Sequence, residues 1–97
     1  GQGAVGIATA TGGESVMQAT VNAVHDNALG IERLRSATGI LVYFEGAPPS
    51  FKIRDASNAL NFIKSIANDD VQIVFGAFFE RSGKEHCTTM IVAIASE

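Results

Sequence analysis

The chain has 97 residues, 46% of them hydrophobic, and seven Lys and Arg against ten Asp and Glu give it a net charge of −3. A chain that is this apolar and this weakly charged is predicted to form a single folded domain over residues 1–97. Its negative net charge argues against general binding to nucleic acid or to an anionic membrane. It shows no apolar run of the roughly 20 residues that a membrane span needs and no signal peptide. Its one cysteine, Cys87, excludes an internal disulfide, so we expect a cytoplasmic domain.

Turn-forming segments divide the chain into four predicted strands and two predicted helices. Strands are indicated where apolar residues alternate, and helices where they recur every three or four positions. The predictions are strand Ala4–Thr11, helix Glu14–Asp26, strand Gly39–Glu45, helix Arg54–Ala67, strand Val71–Phe79 and strand Glu85–Ala95. The polar residues 81–84 between the last two strands predict a hairpin loop.

The order βαβαββ predicts an α+β (α/β) two-layer sandwich. Right-handed crossovers place both helices on one face of a four-stranded sheet. Each helix has one apolar stripe to bury against that face. The stripes are Met17, Val21, Val24 and Ala28 in the first helix, and Ala56, Leu60, Ile63 and Ala67 in the second, which Phe62 and Ile66 widen.

The predicted strands are apolar on both faces. In the second strand, Leu41 and Tyr43 lie opposite Ile40, Val42 and Phe44. Two helices cover only one face of a sheet, and a large bare apolar patch is unusual on a monomer. We therefore expect the second face to be buried against something outside these residues. The alternative is that loops and termini cover it.

Two glycine segments could suggest phosphate binding. Residues 1–6, Gly-Gln-Gly-Ala-Val-Gly, spell a dinucleotide-binding pattern, but that mechanism needs a helix to follow, and a strand follows here. The segment Thr11-Gly12-Gly13-Glu14-Ser15 joins a strand to a helix, so an anion could sit on its amides. The charge of Glu14 at the same helix end favours the alternative, a tight turn with a helix cap.

No residue cluster predicts catalysis or metal binding. His86 and Cys87 are neighbours in a strand, so their side chains point to opposite faces and cannot share a metal. His25 lies at a helix end, where a histidine usually caps carbonyl groups. Capping and solvation also account for the acidic residues Asp26, Asp55, Asp69 and Asp70. We expect no catalytic residue and no metal site.

Several segments of the chain, taken together, carry a family resemblance. Val5-Gly6-Ile7-Ala8-Thr9-Ala10-Thr11-Gly12 is similar to the Met-Gly-Ile-Gly-x-Ala-Ser-Gly strand and turn that opens the C-terminal domain of FtsZ, in the tubulin/FtsZ GTPase family. Further similar segments, in the same order and with near-identical spacing, are Asn27-Ala28-Leu29, residues 36–46 (Ser-Ala-Thr-Gly-Ile-Leu-Val-Tyr-Phe-Glu-Gly), residues 69–76 (Asp-Asp-Val-Gln-Ile-Val-Phe-Gly) and residues 90–96 (Met-Ile-Val-Ala-Ile-Ala-Ser). The joint order is specific, although each segment alone is ordinary strand chemistry.

The resemblance implies a role in filament formation for bacterial cell division. In that family an N-terminal domain holds GTP on a glycine-rich loop, and the aspartate that activates hydrolysis precedes this domain's first strand; neither occurs in this sequence. The resemblance therefore implies no cofactor site and no catalytic residue in this chain, with GTP and GTPase activity belonging to a parent protein. It implies three partners: the N-terminal GTP-binding domain, its long central helix, which would cover the second apolar face, and neighbouring subunits of a homopolymer.

The resemblance also places the start of the second helix near the subunit contact. It makes Phe51, Arg54, Asp55 and Asn58 candidate subunit-interface residues, because an exposed aromatic side chain beside charges is a plausible anchor. For Phe51 the alternative is a hydrophobic staple at the helix start.

Two further possibilities stay open. Three features depart from the family pattern: Pro48-Pro49, Phe78-Phe79, and Ala8, which stands where a glycine is common. They leave open that the chain comes from a divergent FtsZ-like protein. A different class is a stand-alone ligand-binding or regulatory module that buries its second face by homo-oligomerising.

Overall fold

The computed structural model describes residues 2–12, 14–46, 52–79 and 86–95, and these form four strands and three helices. In chain order they are β1 Gln2–Thr11, α1 Ser15–Val24, α2 Gly30–Ser36, β2 Gly39–Gly46, α3 Ile53–Ile66, β3 Gln72–Phe79 and β4 His86–Ala95. The predicted order of strands and the two predicted helices are confirmed. Helix α2 is an addition: it is one short segment with only Leu34 buried, so it has no apolar stripe for a pattern to detect.

The strands form one mixed sheet in the order β1-β4-β2-β3. β4 runs antiparallel to both β1 and β2, and β2 and β3 are parallel. The predicted hairpin between β3 and β4 is therefore wrong, because β2 separates these strands. Residues 81–84, the predicted hairpin loop, lie outside the described residues. Helix α3 carries the chain from β2 to a parallel neighbour, and β4 then gains backbone partners on both sides by lying between β1 and β2.

The core lies between the sheet and the helices. Ile40, Val42 and Phe44 of β2 and Ile91 of β4 are buried on one face of the sheet, which we call the inner face. Burying side chains of this size contributes about 1.5–3 kcal/mol each. The predicted stripe of α3 is confirmed, with Ala67 half-buried at its end and Ala59 as an addition.

The predicted stripe of α1 is wrong except at Val24. Met17 and Val21 are half-buried, and Ala28 is exposed beyond the helix end. The buried side of α1 consists of Ser15, Val16, Ala19, Thr20, Ala23 and Val24. The reason is that α1 lies very close to β1, so mostly small side chains fit between them.

Gly6 makes this close approach possible. A Cβ atom on Gly6 would lie 2.2 Å from the Ala23 carbonyl oxygen and 2.9 Å from Cδ2 of Leu29. No other residue has so little bulk at this position. Gly6 therefore belongs to a packing contact and not to a nucleotide-binding loop.

Asp26 links the helical layer to the edge of the sheet. Its carboxylate accepts hydrogen bonds from the backbone N–H groups of Ala28, at 2.9 Å, and Ile7, at 3.3 Å. These two bonds hold the pKa of the Asp26 carboxyl below its ordinary value of 3.8. The neighbouring His25 has Nδ1 2.8 Å from the Val21 carbonyl oxygen. His25 thus caps a carbonyl group at the helix end, as the sequence predicts, whereas Asp26 caps no helix end and instead joins a turn to β1.

Candidate interaction surface

The face of the sheet opposite the helices, which we call the outer face, is apolar and largely bare in the described part of the chain. Six of its large side chains are between 40% and 64% exposed: Val5, Ile7, Leu41, Val74, Phe78 and Ile94. The prediction that both faces are apolar while the helices cover only one is confirmed. Apolar patches of this kind, rimmed by polar groups, mark interaction sites on proteins.

The strand register arranges these side chains in rows across the sheet. Val5, Val92, Leu41 and Val74 are successive partners in one row that crosses all four strands. In the next row, the ring of Tyr43 lies over Gly76, where an added Cβ atom would meet Cδ1 of Tyr43 at 3.6 Å. The outer face is therefore a continuous surface and not a set of separate apolar residues.

The outer face becomes polar toward the carboxyl ends of β1 and β2. The third row contains Thr9, Thr88 and Glu45 beside Phe78. The hydroxyl groups of Thr9 and Thr88 lie 2.7 Å apart and share a hydrogen bond. This polar row gives the patch a boundary at one end and an orientation along the strands.

Three of the four predicted subunit-interface residues, Arg54, Asp55 and Asn58, lie at that same end of the sheet. Arg54 and Asn58 are exposed and Asp55 is half-buried, all on the first turns of α3, whereas Phe51 lies outside the described residues. β1 and β2 are parallel, so the helices that follow them, α1 and α3, begin at the same end. Asp55 and Asn58 consequently line a cleft of about 260 Å³ together with Glu14, Val16 and Met17 of the α1 end, but Arg54 does not line it.

Sequence reasoning missed Ile53, the first residue of α3. Its side chain is 82% exposed, more than any other large apolar side chain among the described residues. A signal was available, because Ile53 falls outside the helix stripe that begins at Ala56 and so has no place in the core. It adds an apolar group to the polar candidates at the start of α3.

The glycine segments have structural roles. Residues 2–11 form a strand, so the dinucleotide pattern lacks the helix that its mechanism needs. Gly12 has a φ angle of +98°, and the Ser15 N–H donates to its carbonyl oxygen at 3.2 Å, which confirms the tight turn. Glu14 is the N-cap residue of α1, and its side chain makes no capping hydrogen bond.

The described residues contain no group of three or more side chains that could hold a metal ion. Cys87 and His86 lie on opposite faces of β4, as predicted. Cys87 is buried on the inner face, and burial raises the pKa of its thiol above the ordinary value. A buried thiol with a raised pKa is a poor nucleophile.

No helix in the described part of the chain is long and apolar enough to cross a membrane.

Comparison with known proteins identifies the family. The sequence-family model for the C-terminal domain of the FtsZ family matches residues 1–96. The chain belongs to the FtsZ family. The resemblance that its segments show in order and spacing is therefore confirmed.

This FtsZ-family chain is much shorter than the curated relatives that it matches. It is 33% identical over 94 residues to the cell division protein FtsZ of Helicobacter pylori strain J99, and 32% identical over 94 residues to that of strain 26695. These matches cover 96% of this chain and 24% of each relative. The chain thus spans about a quarter of the length of the curated relatives it matches.

Solved structures share the fold. The empty FtsZ dimer of M. jannaschii superimposes with a TM-score of 0.83 at 18% identity, over 94% of this chain and 26% of the other. CetZ2 from Haloferax volcanii, solved as a GTPγS-bound protofilament, gives 0.74 at 21% identity, over 98% of this chain and 29% of the other. At these identities the agreement concerns the fold: a four-stranded mixed sheet with three helices.

Proposed function

We propose that this FtsZ-family chain works as the C-terminal, assembly part of a longer filament-forming protein of bacterial cell division in the cytoplasm. The observation that carries the proposal is the apolar outer face. It crosses all four strands, six of its large side chains are 40–64% exposed, and no described element covers it. The curated relatives, which are about four times longer and named as cell division proteins, supply the context.

The outer face packs, in this proposal, on the central helix of the remaining part of the protein. The aliphatic row of Val5, Val92, Leu41 and Val74 offers a continuous apolar surface, and the polar row of Thr9, Thr88 and Glu45 limits it. Covering such a surface is favourable by about 25 cal/mol for each Å² of apolar area removed from water. A helix with an apolar stripe matches the apolar chemistry of this surface.

GTP is bound and hydrolysed by the parent protein and not by this chain alone. Supporting this, the glycine segments of the chain are a strand and a tight turn, and its cysteine is buried. In the proposal, the chain contributes to hydrolysis only through assembly, by meeting the nucleotide end of the next subunit.

The contact with that next subunit involves Phe51, Arg54, Asp55 and Asn58. Supporting this, Arg54 and Asn58 are exposed, and Asp55 lines the cleft that α3 shares with the start of α1. Ile53 lies beside them and supplies an exposed apolar group, which interface centres usually contain.

The first test is the native size of the polypeptide, measured by blotting an extract of the source cells with an antibody raised against this chain. A band several times heavier than the mass of 97 residues supports the proposal. A band at the mass of 97 residues contradicts it and favours a stand-alone module that covers its outer face by homo-oligomerising.

The second test is GTP-dependent pelleting of the native protein. Leu41→Lys places a charge in the middle of the outer face, and we expect it to abolish pelleting. Asn61→Lys introduces the same charge at an exposed position of α3 and serves as the matched control. Pelleting that survives Leu41→Lys unchanged contradicts a role for the outer face in assembly.

A further inference from the structure

The two edges of the sheet differ in how they are protected. At the β1 edge, the Ile7 N–H donates to Asp26, and the polar residues Thr9 and Thr11 follow. β3, at the other edge, has no charged residue and no proline from Gln72 to Phe79. Proteins usually guard an open strand edge with charges, proline or a covering segment, because its free backbone groups pair readily with another strand.

The backbone of β3 presents its free groups in a regular row. The Gln72 N–H donates to the Thr38 carbonyl at 3.2 Å and so faces β2. Backbone groups alternate in direction along a strand, so those of Ile73, Phe75 and Ala77 face away from the sheet. No strand among the described residues pairs with β3 on that side.

The side chains at this edge are apolar and exposed on both faces. Phe75 lies on the inner face, opposite Val42, yet it is 55% exposed. Val74 and Phe78, on the outer face, are 64% and 53% exposed. The edge therefore combines free backbone groups with uncovered apolar side chains, which is the combination that strand addition uses.

We propose that β3 pairs edge to edge with β3 of a second copy of this chain, antiparallel and about a two-fold axis at Phe75. The axis sets Phe75 against Phe75 of the partner subunit and Ile73 against Ala77 of the partner subunit. These are the residues whose N–H and C=O groups face outward, so each such pair exchanges both of its hydrogen bonds. The result is one continuous sheet made of two four-stranded sheets.

Charge and size favour a second copy as the occupant. Each copy carries a net charge of −3, and an edge without charges is where two such chains approach with least repulsion. The two-fold pairing sets large residues beside small ones: Ile73 beside Ala77 of the partner subunit, and Val74 beside Gly76 of the partner subunit. An isologous contact requires this self-complementarity. The pairing uses the backbone edge of β3, where the outer face ends, and does not depend on the proposed assembly function.

The test is the mass of the chain by sedimentation equilibrium as its concentration is raised. We expect a monomer–dimer equilibrium, and monomers for Phe75→Lys alone and for Phe75→Glu alone, since like charges then meet at the axis. Mixing these two variants restores a dimer containing one copy of each. Ile7→Lys, which charges the outer face at the opposite edge, leaves the dimer unchanged.

A backbone measurement distinguishes this pairing from contact through the outer face. In hydrogen exchange we expect the amides of Phe75 and Ala77 to slow as concentration rises, whereas those of Val74 and Gly76 are protected throughout. If the Phe75 variants fail to fold, Ala77→Pro decides, because it removes an outward N–H and no bond to β2. A monomer at every soluble concentration, or a dimer lost with Ile7→Lys and kept with both Phe75→Lys and Ala77→Pro, overturns the proposal.

Discussion

The two faces of the sheet have similar hydrophobic content and opposite surroundings. In β2, Ile40, Val42 and Phe44 are buried, while Leu41 between them is 40% exposed. β1 shows the same difference, because its inner side carries Ala4, Gly6, Ala8 and Ala10, and its outer side carries Val5 and Ile7. The small residue Gly6 lets α1 approach the inner face closely. Apolar alternation thus shows that two faces exist, and small residues on the inner side of β1 fit the face that α1 covers.

Neighbouring lysine substitutions give the largest expected contrast between the faces. Val42→Lys places an ammonium group in the closed core, at a cost on the order of 5 kcal/mol, which is comparable to the whole stability of a small domain. In this chain alone, Leu41→Lys leaves the charge in water and changes the free energy of unfolding by about 1 kcal/mol or less. Urea unfolding followed by circular dichroism measures both. Equal stability losses for the two variants contradict the assignment of inner and outer faces.

Two glycines provide the next contrast. Gly6→Ala forces the end of α1 away from β1, since the new Cβ atom would lie 2.2 Å from the Ala23 carbonyl oxygen, and we expect a loss of about 1–3 kcal/mol. Gly76→Ala meets only Tyr43 at ordinary contact distance and should raise stability by about 0.5 kcal/mol, because alanine loses less conformational entropy in a strand. Thermal unfolding of the two variants should therefore shift in opposite directions. A Gly6→Ala variant as stable as the original chain contradicts the close helix–strand contact.

The sequence predicted best what depends on local pattern. The strand bounds agree to within a few residues, and the stripe of α3 is confirmed because Ala56, Leu60 and Ile63 recur at helical spacing. The predicted stripe of α1 is wrong because the periodicity was read from large apolar residues, while the space beside Gly6 admits mostly small ones. Such a space is a property of two elements together, which the periodicity of one cannot reveal.

The strand order depends on long-range pairing in the same way. Adjacency in sequence favours a β3–β4 hairpin, but β4 gains two partners between β1 and β2. The bare outer face, by contrast, could be predicted from the number of elements, because the strands are apolar on both sides and the helices are enough to cover only one side. No element among the described residues covers that face, and a prediction of what covers it rests on the family resemblance.

Cysteine labelling sharpens the comparison without requiring a change in stability. Cys87 is fully buried on the inner face, and burial raises its thiol pKa, so alkylation should proceed only through opening of the fold. A second cysteine introduced as Ile7→Cys lies on the outer face and should react at once. Mass spectrometry of this single variant should show one label added quickly and the second slowly. Two labels added at the same rate contradict the difference in cover between the faces.

The smallest expected effect concerns Asp26, which reaches from the helical layer to the backbone of Ile7, a residue of the outer face. The two N–H donors lower the pKa of the Asp26 carboxyl below 3.8, so the charged form is favoured in the folded state. Its contribution to stability is complete above the ordinary pKa and is lost as the pH falls below 3.8 through the lowered pKa. Asp26→Asn should remove this part of the acid dependence and slightly lower stability at neutral pH, since an amide accepts through only one oxygen. Urea unfolding over a series of acid pH values measures the difference, with Asp69→Asn, an exposed aspartate in the turn before β3, as the matched control. If both variants keep the acid dependence of the original chain, the link between Asp26 and the β1 edge contributes nothing to folding.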